Sequence, residues 1–250
     1  MTKTIRTLLA ATVLSAFAVP AGAFDDTQRK EIEQIMRDYL LENPEFLLEV
    51  QEAYESKRAI AERQQQQESI TLQNAAIFEE PSDPVLGNPD GSVTVVEFFD
   101  YNCGYCKRAM NDMLTMMEAD SELRFVLKEF PILGEDSQDA HRVAHAFNDL
   151  MPERYMEFHM RLLGFNGRAN RDVAMRIATE LGADEAAMQD LLAAGKIDDR
   201  IRATYKLASD LGINGTPAYV VGDEVVAGAL GEQVLTVKVA NVRQCGSTLC

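Results

Sequence analysis

The sequence predicts an α/β domain, in which a sheet with parallel strands and a hairpin carries a helical insertion, preceded by an N-terminal helical segment. Two apolar, β-branched stretches, at residues 93–100 and 123–133, are typical of buried strands. A helical block at about 134–211 separates them from two short strands, which are joined by a turn at Gly222 and Asp223. Apolar residues at spacings of three and four before this domain predict amphipathic helices.

The first 23 residues have the pattern of a secretory signal peptide. Lys3 and Arg6 form a basic start, an apolar run follows, and Ala21-Gly22-Ala23 is a small-residue cleavage pattern. The apolar run is short for a bilayer, so a cleaved signal is favoured over a membrane anchor. We therefore expect residues 1–23 to be removed and the mature protein to be located in the periplasm.

The charge of the chain limits its partners. There are 24 lysines and arginines against 40 aspartates and glutamates, which gives a net charge of -16 at pH 7. An acidic surface repels phosphate backbones and anionic lipid headgroups. We therefore expect no nucleic-acid partner, and no motif in the sequence predicts a cofactor.

Residues 24–78 predict two helices separated at Asn43-Pro44-Glu45, because Asn caps a helix and Pro fits its first position. Each helix has one apolar stripe, and the second continues into a polar, glutamine-rich shaft. The stripes pack either against the chain's own domain or against another copy of the segment. The second arrangement is favoured, because the shaft is polar on all sides. Residues 24–78 are therefore predicted to be the oligomerisation segment of a homo-oligomer.

Residues 79–92 contain three prolines and two glycines and predict a boundary. The domain at 79–250 is long enough to form a hydrophobic core of its own. Its first strand, at 93–100, leads directly to a pair of cysteines and a helix. A final helix follows the strand pair near the end of the sequence.

Cys103 and Cys106 stand where this strand ends and the helix begins. Free backbone N–H groups and the helix dipole stabilise a thiolate there, so Cys103 is predicted to be the nucleophile. Cys106, one turn later, would resolve a mixed disulfide. Gly104 and Tyr105, between them, are candidate substrate-binding residues that also set the local electrostatics. A zinc site would need ligands at metal spacing, and a structural disulfide across so short a loop gains little stability.

Two other positions are candidates for the site. Glu97 lies in the apolar strand before the cysteines, where it either relays protons to the thiols or is a solvated strand residue. Thr216-Pro217 directly precedes a strand. Proline cannot donate a hydrogen bond to a neighbouring strand, so its presence there indicates a special backbone conformation. A cis bond would provide one, and it would leave the Thr216 backbone free to pair with an extended substrate.

The motif Cys103-Gly104-Tyr105-Cys106 follows "VEFFDYN", and Thr216-Pro217 precedes "AYVV". In this combination, residues 83–243 resemble the DsbA-like disulfide oxidoreductases of the bacterial periplasm. The resemblance implies a thioredoxin fold with a helical insertion, a thiol-disulfide oxidoreductase activity, and substrates that are unfolded or wrongly disulfide-bonded exported proteins. It also implies four site residues: Cys103 as attacking thiol, Cys106 as resolving thiol, Pro217 as cis-proline, and Glu97 as buried acid.

The N-terminal helical segment is similar to that of ScsC-type and Com1-type proteins, some of which are oligomeric disulfide isomerases. A disulfide isomerase or reductase is favoured over a DsbA-like dithiol oxidase, because several catalytic domains on one stalk raise the effective concentration of thiol and binding surface. An isomerase also needs a reductant that keeps Cys103 reduced, implied here to be a membrane protein of the DsbD or ScsB kind.

Copper binding for tolerance of copper stress is an alternative function. The thioethers of four methionines at helical spacing would suit Cu(I), although packing in a core is the favoured role. These methionines are Met110, Met113, Met116 and Met117.

The remaining histidines and cysteines are predicted to be structural. His141 and His145 lack a third ligand, so packing and surface roles are favoured, and His159 is predicted to pack in the insertion. Cys245 and Cys250 bracket four residues and are predicted to form a disulfide in an exported protein. A second redox pair is the alternative for these two cysteines. It is less favoured because they do not lie between the end of a strand and the start of a helix.

Overall fold

The computed structural model describes residues 25–250, so the predicted signal peptide, residues 1–23, lies outside the described residues. The chain divides into two compact units, one ending at Arg58 and one spanning Ala59–Cys250. This division lies within a helix, whereas the sequence predicts a boundary between residues 78 and 79. Across the described residues, no helix combines the length and apolar character needed to cross a bilayer.

The first unit contains helix α1, Asp26–Glu42, and the start of helix α2, Glu45–Leu72. The Asp25 carboxylate accepts from the backbone N–H of Gln28, and the Gln28 side chain accepts from the Asp25 N–H, which forms a capping box. The break between α1 and α2 lies at Asn43-Pro44, where the sequence predicts it. Within residues 25–58, no residue is buried, and most large apolar side chains are exposed: Ile32, Ile35, Met36, Tyr39, Leu41, Phe46, Leu47, Leu48, Val50 and Tyr54.

The second unit is built on a five-stranded sheet with the order β1-β3-β2-β4-β5. Strand β2 pairs in parallel with β3 and antiparallel with β4, and the two edge strands pair antiparallel. The central position of β2 explains its almost continuous burial. The strands are β1, Val85–Gly87; β2, Val93–Phe99; β3, Leu123–Glu129; β4, Ala218–Val221; and β5, Glu224–Ala227.

Eight further helices follow in this unit: α3, Asn74–Phe78; α4, Gly104–Ala119; α5, Glu135–Leu150; α6, Tyr155–Leu163; α7, Arg171–Glu180; α8, Glu185–Ala193; α9, Lys196–Asp210; and α10, Glu232–Cys245. The predicted insertion therefore consists of α5 to α9, with a short 3-10 turn at Pro152–Arg154. Its helices end at the predicted breaks. Gly182 and Gly195, for example, adopt the positive φ values of 95° and 75° that glycine tolerates.

Two expectations about strands are wrong in detail. Residues 79–92 are predicted to mark a boundary, with no strand, but they contain β1, which pairs with β3 through Leu86 and Phe125. Strand β3 ends at Glu129, rather than continuing to residue 133, because Pro131 cannot donate a ladder hydrogen bond.

The sheet separates two hydrophobic cores. Phe99 and Leu127 belong to the core on the face covered by α4, α10 and most of the insertion. Phe98 and Val220 point to the opposite face. There they pack with buried side chains from the end of α2, from α3 and from α9: Ile70, Ile77 and Leu207. The last turns of α2 therefore belong to the catalytic domain.

A buried ion pair stabilises this second face. Lys128 of β3 is 2% exposed and donates to the carboxylate of Asp83 and to the carbonyl oxygen of Ala76. Burial raises the pKa of Asp83 to about 6, although the positive charge of Lys128 opposes this shift. The pair attaches the segment after α3 to the sheet.

We expect Lys128→Met to lower the free energy of unfolding by about 3 kcal/mol at neutral pH, because it leaves the Asp83 carboxylate buried without its counter-ion. Folded Asp83 keeps its proton up to about pH 6, whereas the unfolded chain loses it near pH 3.8. The variant lacks the positive charge of Lys128 that lowers this pKa, so its folded Asp83 keeps the proton to a higher pH than in the parent protein. The loss should therefore shrink as the pH falls towards 6, below which both proteins hold Asp83 protonated. Urea unfolding on either side of this pH measures it. The control, Lys128→Met with Asp83→Asn, should recover most of the stability, and a loss independent of pH would contradict the prediction.

Cys245 and Cys250 form a disulfide that closes the loop after α10. Within this loop, Thr248 donates from its backbone N–H and its hydroxyl to the Asp223 carboxylate, at 2.9 and 3.0 Å. Asp223 lies in the turn between β4 and β5. It also accepts from Gln67 of α2 at 2.7 Å, so the loop, the hairpin and the end of α2 share one hydrogen-bonded centre.

Candidate functional site

The two free cysteines lie at the carboxyl end of the central strand. Cys103 is the N-cap residue of α4, and its carbonyl oxygen accepts the first helical bond, from Lys107 at 3.1 Å. Cys103 is 6% exposed, and Cys106, one turn later, is completely buried. Only the first sulfur is therefore open to a substrate, as the sequence predicts.

The pKa values of the two thiols are shifted in opposite directions. A hydrogen bond from the Cys106 side chain is the largest contribution that lowers the pKa of Cys103, and bonds from Thr216 and from the backbone N–H groups of Cys106 and Tyr105 add to it. Together they outweigh burial and lower the pKa to about 5. Burial, strengthened by the hydrogen bond to Cys103, raises the pKa of Cys106 far above its ordinary value. At neutral pH, Cys103 is a thiolate and Cys106 is a thiol, which suits an attacking and a resolving group.

Glu97 lies in β2 on the face that packs against α4. Its cross-strand partners are Leu127 and Tyr219, whose side chains point to the same face. Glu97 is 2% exposed, so it is not a solvated strand residue. Burial, with repulsion from the Cys103 thiolate and from Asp112, raises its pKa to about 8. A carboxyl group with this pKa can both accept and release a proton near neutral pH.

Thr216 and Pro217 face the nucleophile from the start of β4. Their peptide bond is cis, and the Cys103 Sγ lies 3.2 Å from the Thr216 carbonyl oxygen. A cavity of about 150 Å³ adjoins them and is lined by Gly212 to Ala218 and by three residues of the β5 side, Val225, Ala227 and Gly228. Backbone groups next to a reactive sulfur are suited to bind an extended peptide.

Gly104 and Tyr105 form the exposed surface between the two cysteines. A Cβ atom on Gly104 would meet no other atom within 4 Å, so neither its backbone nor its surroundings require glycine. Tyr105 is 60% exposed, and the guanidinium of Arg108 lies 4.4 Å from its ring centroid.

Asp100 and Asn102, which the sequence analysis did not single out, hold the cysteine loop in place. The completely buried Asp100 carboxylate accepts from the backbone N–H groups of Asn102 and Leu133, at 2.7 and 2.9 Å, and from the Ser137 hydroxyl at 2.8 Å. The Asn102 amide exchanges two hydrogen bonds with the backbone of Ala169, at 2.8 and 2.7 Å. The only sequence signal was their polarity directly after an apolar strand.

A buried polar cluster lies behind the cysteine loop. The Glu129 carboxylate is bonded to His141 Nδ1 and to the Tyr155 hydroxyl, and the backbone N–H of Tyr101 donates to His141 Nε2. His141 therefore acts as a neutral tautomer that bridges β3 and the cysteine loop. All three histidines are buried, so the surface role expected for His141 or His145 is wrong.

The four methionines of α4 are packing residues. Met113 and Met116 are buried, and Met110 and Met117 pack partly buried against the same core. Within residues 25–250, no group of three or more His, Cys, Asp or Glu side chains is arranged to hold a metal ion. Because two of them are buried and two pack against the same core, these methionines contribute adaptable core packing.

Two known protein families match parts of this chain. The family described as the DSBA-like thioredoxin domain matches residues 94–239. The family described as the copper resistance protein ScsC N-terminal domain matches residues 28–68. The first match lies within residues 79–250, and the second lies within residues 24–78.

Solved structures agree with both matches. A thioredoxin-like oxidoreductase from Silicibacter pomeroyi DSS-3 is 43% identical, with a TM-score of 0.65 over 68% of this chain and 98% of its own. The thiol-disulfide exchange protein alpha-DsbA2 from Wolbachia pipientis is 31% identical, with a TM-score of 0.67 over 73% and 98%. Proteus mirabilis ScsC in a transitional conformation is 26% identical, with a TM-score of 0.62 over 88% and 99%.

Proposed function

Since this chain belongs to the family of DSBA-like thioredoxin domains, a family of thiol-disulfide oxidoreductases, we propose that it acts on exported proteins in the periplasm, chiefly as a disulfide isomerase. The observation that carries the redox role is a single accessible thiolate, Cys103, with the buried thiol of Cys106 behind it.

The proposed reaction begins when the Cys103 thiolate attacks one sulfur of a substrate disulfide. A mixed disulfide forms, and the other substrate sulfur leaves as a thiolate that takes up a proton. In isomerisation, a different substrate thiolate then attacks the mixed disulfide and regenerates Cys103. If the substrate does not rearrange, Cys106 attacks instead, which releases a reduced substrate and leaves a Cys103–Cys106 disulfide. A membrane thiol reductant of the DsbD or ScsB kind would then reduce this disulfide.

The exposed apolar stripe of the first unit supports the isomerase assignment. Burying six such side chains at about 1.5 kcal/mol each would give roughly 9 kcal/mol, which is comparable with the cost of association. We propose that residues 24–78 assemble copies of the chain through this stripe. Several catalytic domains on one assembly would keep a misfolded substrate close to a thiolate while its disulfides rearrange.

A DsbA-like dithiol oxidase is the second candidate, and one observation favours it. A Cys103 pKa of about 5 stabilises the reduced pair, which makes the disulfide form a stronger oxidant. The two candidates differ in which form of the protein is active. An isomerase acts in its reduced form on a scrambled substrate, whereas an oxidase acts in its oxidised form on a reduced substrate.

We expect the reduced protein to be oligomeric and to refold a substrate with scrambled disulfides. Leu47→Glu puts a charge into the apolar stripe, so it should yield a monomer and reduce isomerase activity about tenfold, while reduction of a small disulfide peptide is unchanged. Ser56→Glu adds the same charge at a polar, exposed position of α2 and serves as control. Light scattering and the refolding assay measure these effects. A monomeric parent protein, or activity restricted to its oxidised form, would refute the isomerase proposal.

A further inference from the structure

Close to Cys103 in the fold, the structure presents a positive cluster, with exposed Arg108 and Arg176 and half-buried Lys107, that the reaction above does not use. It consists of Lys107 and Arg108 of α4 and Arg176 of α7, together with the rings of Tyr105 and Phe165. We name these five residues the cationic rim. It is a local feature that the acidic composition of the chain does not predict.

Direct contacts connect the cationic rim to the cysteine loop. Tyr105 lies two residues after the nucleophile. The Arg108 guanidinium lies over its ring, 4.4 Å from the ring centroid. The Lys107 ammonium donates to the carbonyl oxygen of Phe165 at 2.7 Å, and the Arg176 guanidinium lies 5.8 Å from the Phe165 ring centroid. Cation–π contacts and carbonyl bonds orient these positive groups and leave their charge uncompensated.

The segment that carries Phe165 is fixed relative to the nucleophile. The Asn102 side chain exchanges two hydrogen bonds with the backbone of Ala169, and Lys107 binds the carbonyl oxygens of Phe165 and Gly167. The loop between α6 and α7 therefore lies alongside the start of α4 as one wall of the site.

The cations of the rim lack counter-ions, unlike most arginines of the insertion. Within residues 25–250, no carboxylate forms an ion pair with Lys107, Arg108 or Arg176. Six other arginines of the insertion are paired with acids, whereas Arg171 is bonded to the neutral Gln189. The six pairs are Arg142 with Asp139 and Asp198, Arg154 with Glu157, Arg161 with Glu180, Arg168 with Asp136, Arg200 with Asp149, and Arg202 with Asp199. Unpaired cations at one site of a protein with net charge -16 are complementary to an acidic ligand.

We propose that the cationic rim binds acidic side chains that flank a disulfide-bonded cysteine of the substrate. This proposal rests on the proposed thiol-disulfide function and names the substrate class of the same site. The substrate sulfur would meet Cys103, the substrate backbone would lie along Thr216, and the flanking residues would extend over the start of α4. The three positive side chains of the rim are absent from the interactions that lower the pKa of Cys103, so they act on recognition and not on thiolate formation.

The test uses the full-length reduced protein and two peptide disulfides. Each is a symmetric dimer of a seven-residue peptide with one central cysteine, flanked on both sides by glutamates in one dimer and by lysines in the other. The rate of mixed-disulfide formation is measured by mass spectrometry after acid quenching. Each rate is divided by that of dithiothreitol with the same peptide, which removes differences in intrinsic reactivity.

We expect the protein to react about tenfold faster with the glutamate dimer, and we expect added salt to reduce this preference. The variant Arg108→Gln/Arg176→Gln should lose most of the preference, while the Cys103 thiolate absorbance titrates near the same pKa. Arg202→Gln, which removes an exposed arginine of α9, is the control and should retain the preference.

Equal rates with both dimers would overturn the proposed rim and leave the thiol chemistry intact. A variant that slows both dimers equally would also overturn it, because the rim would then act on Cys103 itself. Failure of the parent protein to react with either dimer would instead refute the proposed function, and the rim proposal with it.

Discussion

A Cys106→Ser variant is expected to accumulate as covalent complexes with its substrates. The largest contribution to the low pKa of Cys103 is the hydrogen bond from the Cys106 side chain, and a serine hydroxyl can replace that donor. Cys103 therefore remains a thiolate and still attacks substrate disulfides. Release by Cys106 is lost, so a mixed disulfide that no substrate thiolate resolves should persist for about hours instead of seconds.

Non-reducing gel electrophoresis and mass spectrometry of the variant, incubated with a scrambled disulfide substrate, measure this accumulation. Cys103→Ser is the matched control and should form no complex, because Cys106 is completely buried. Complexes with Cys103→Ser, or no more accumulated complex with Cys106→Ser than with the parent protein, would show that the two thiols do not have the roles assigned to them.

Glu97→Gln is expected to slow the attack of Cys106 on the mixed disulfide by 10²- to about 10³-fold. Cys106 has a strongly raised pKa because it is buried, so it needs a nearby base before it can attack. Glu97 is buried on the same side of the sheet, and its charge interacts with both cysteines. The amide keeps the shape of the side chain but cannot accept the proton.

The pH dependence distinguishes this role from a structural one. Glu97 has a pKa of about 8, so its ionised fraction, and with it the resolving rate of the parent protein, should rise as the pH increases through 8. Glu97→Gln should lack this inflection, whereas the first attack by Cys103 should keep its own pH profile. Rapid-quench measurement of both steps tests this. Asp112→Asn removes a half-buried carboxylate that raises the pKa of Glu97. It is the control and should retain the inflection, at a lower pH.

The sequence predicts the reactive centre well because its signals are local. The apolar run of β2, the two cysteines and the helix of α4 follow one another without interruption, and each has a strong pattern of its own. Glu97 could be identified as a candidate, but only the pairing of β2 with Leu127 and Tyr219 decides that it is buried. Burial of a single strand residue depends on its neighbours in the sheet.

Features that depend on distant contacts could not be predicted. Strand β1 has three residues among prolines, and it exists because β3 provides a partner for Leu86. Asn102 and Ala169 are bonded across 67 residues of chain, so no local pattern could join them. The boundary of the N-terminal segment is another example, since Ile70 and Ile77 continue a helical pattern but are buried against the sheet.

The free space around Gly104 has an evolutionary consequence. The position next to the nucleophile has an ordinary backbone conformation, and a side chain added there would meet no atom within 4 Å. Selection can therefore exchange this residue without disturbing the folding of the domain. In such a scaffold, the residue beside the nucleophile can change between descendants faster than the architecture does, because it is free of packing constraints.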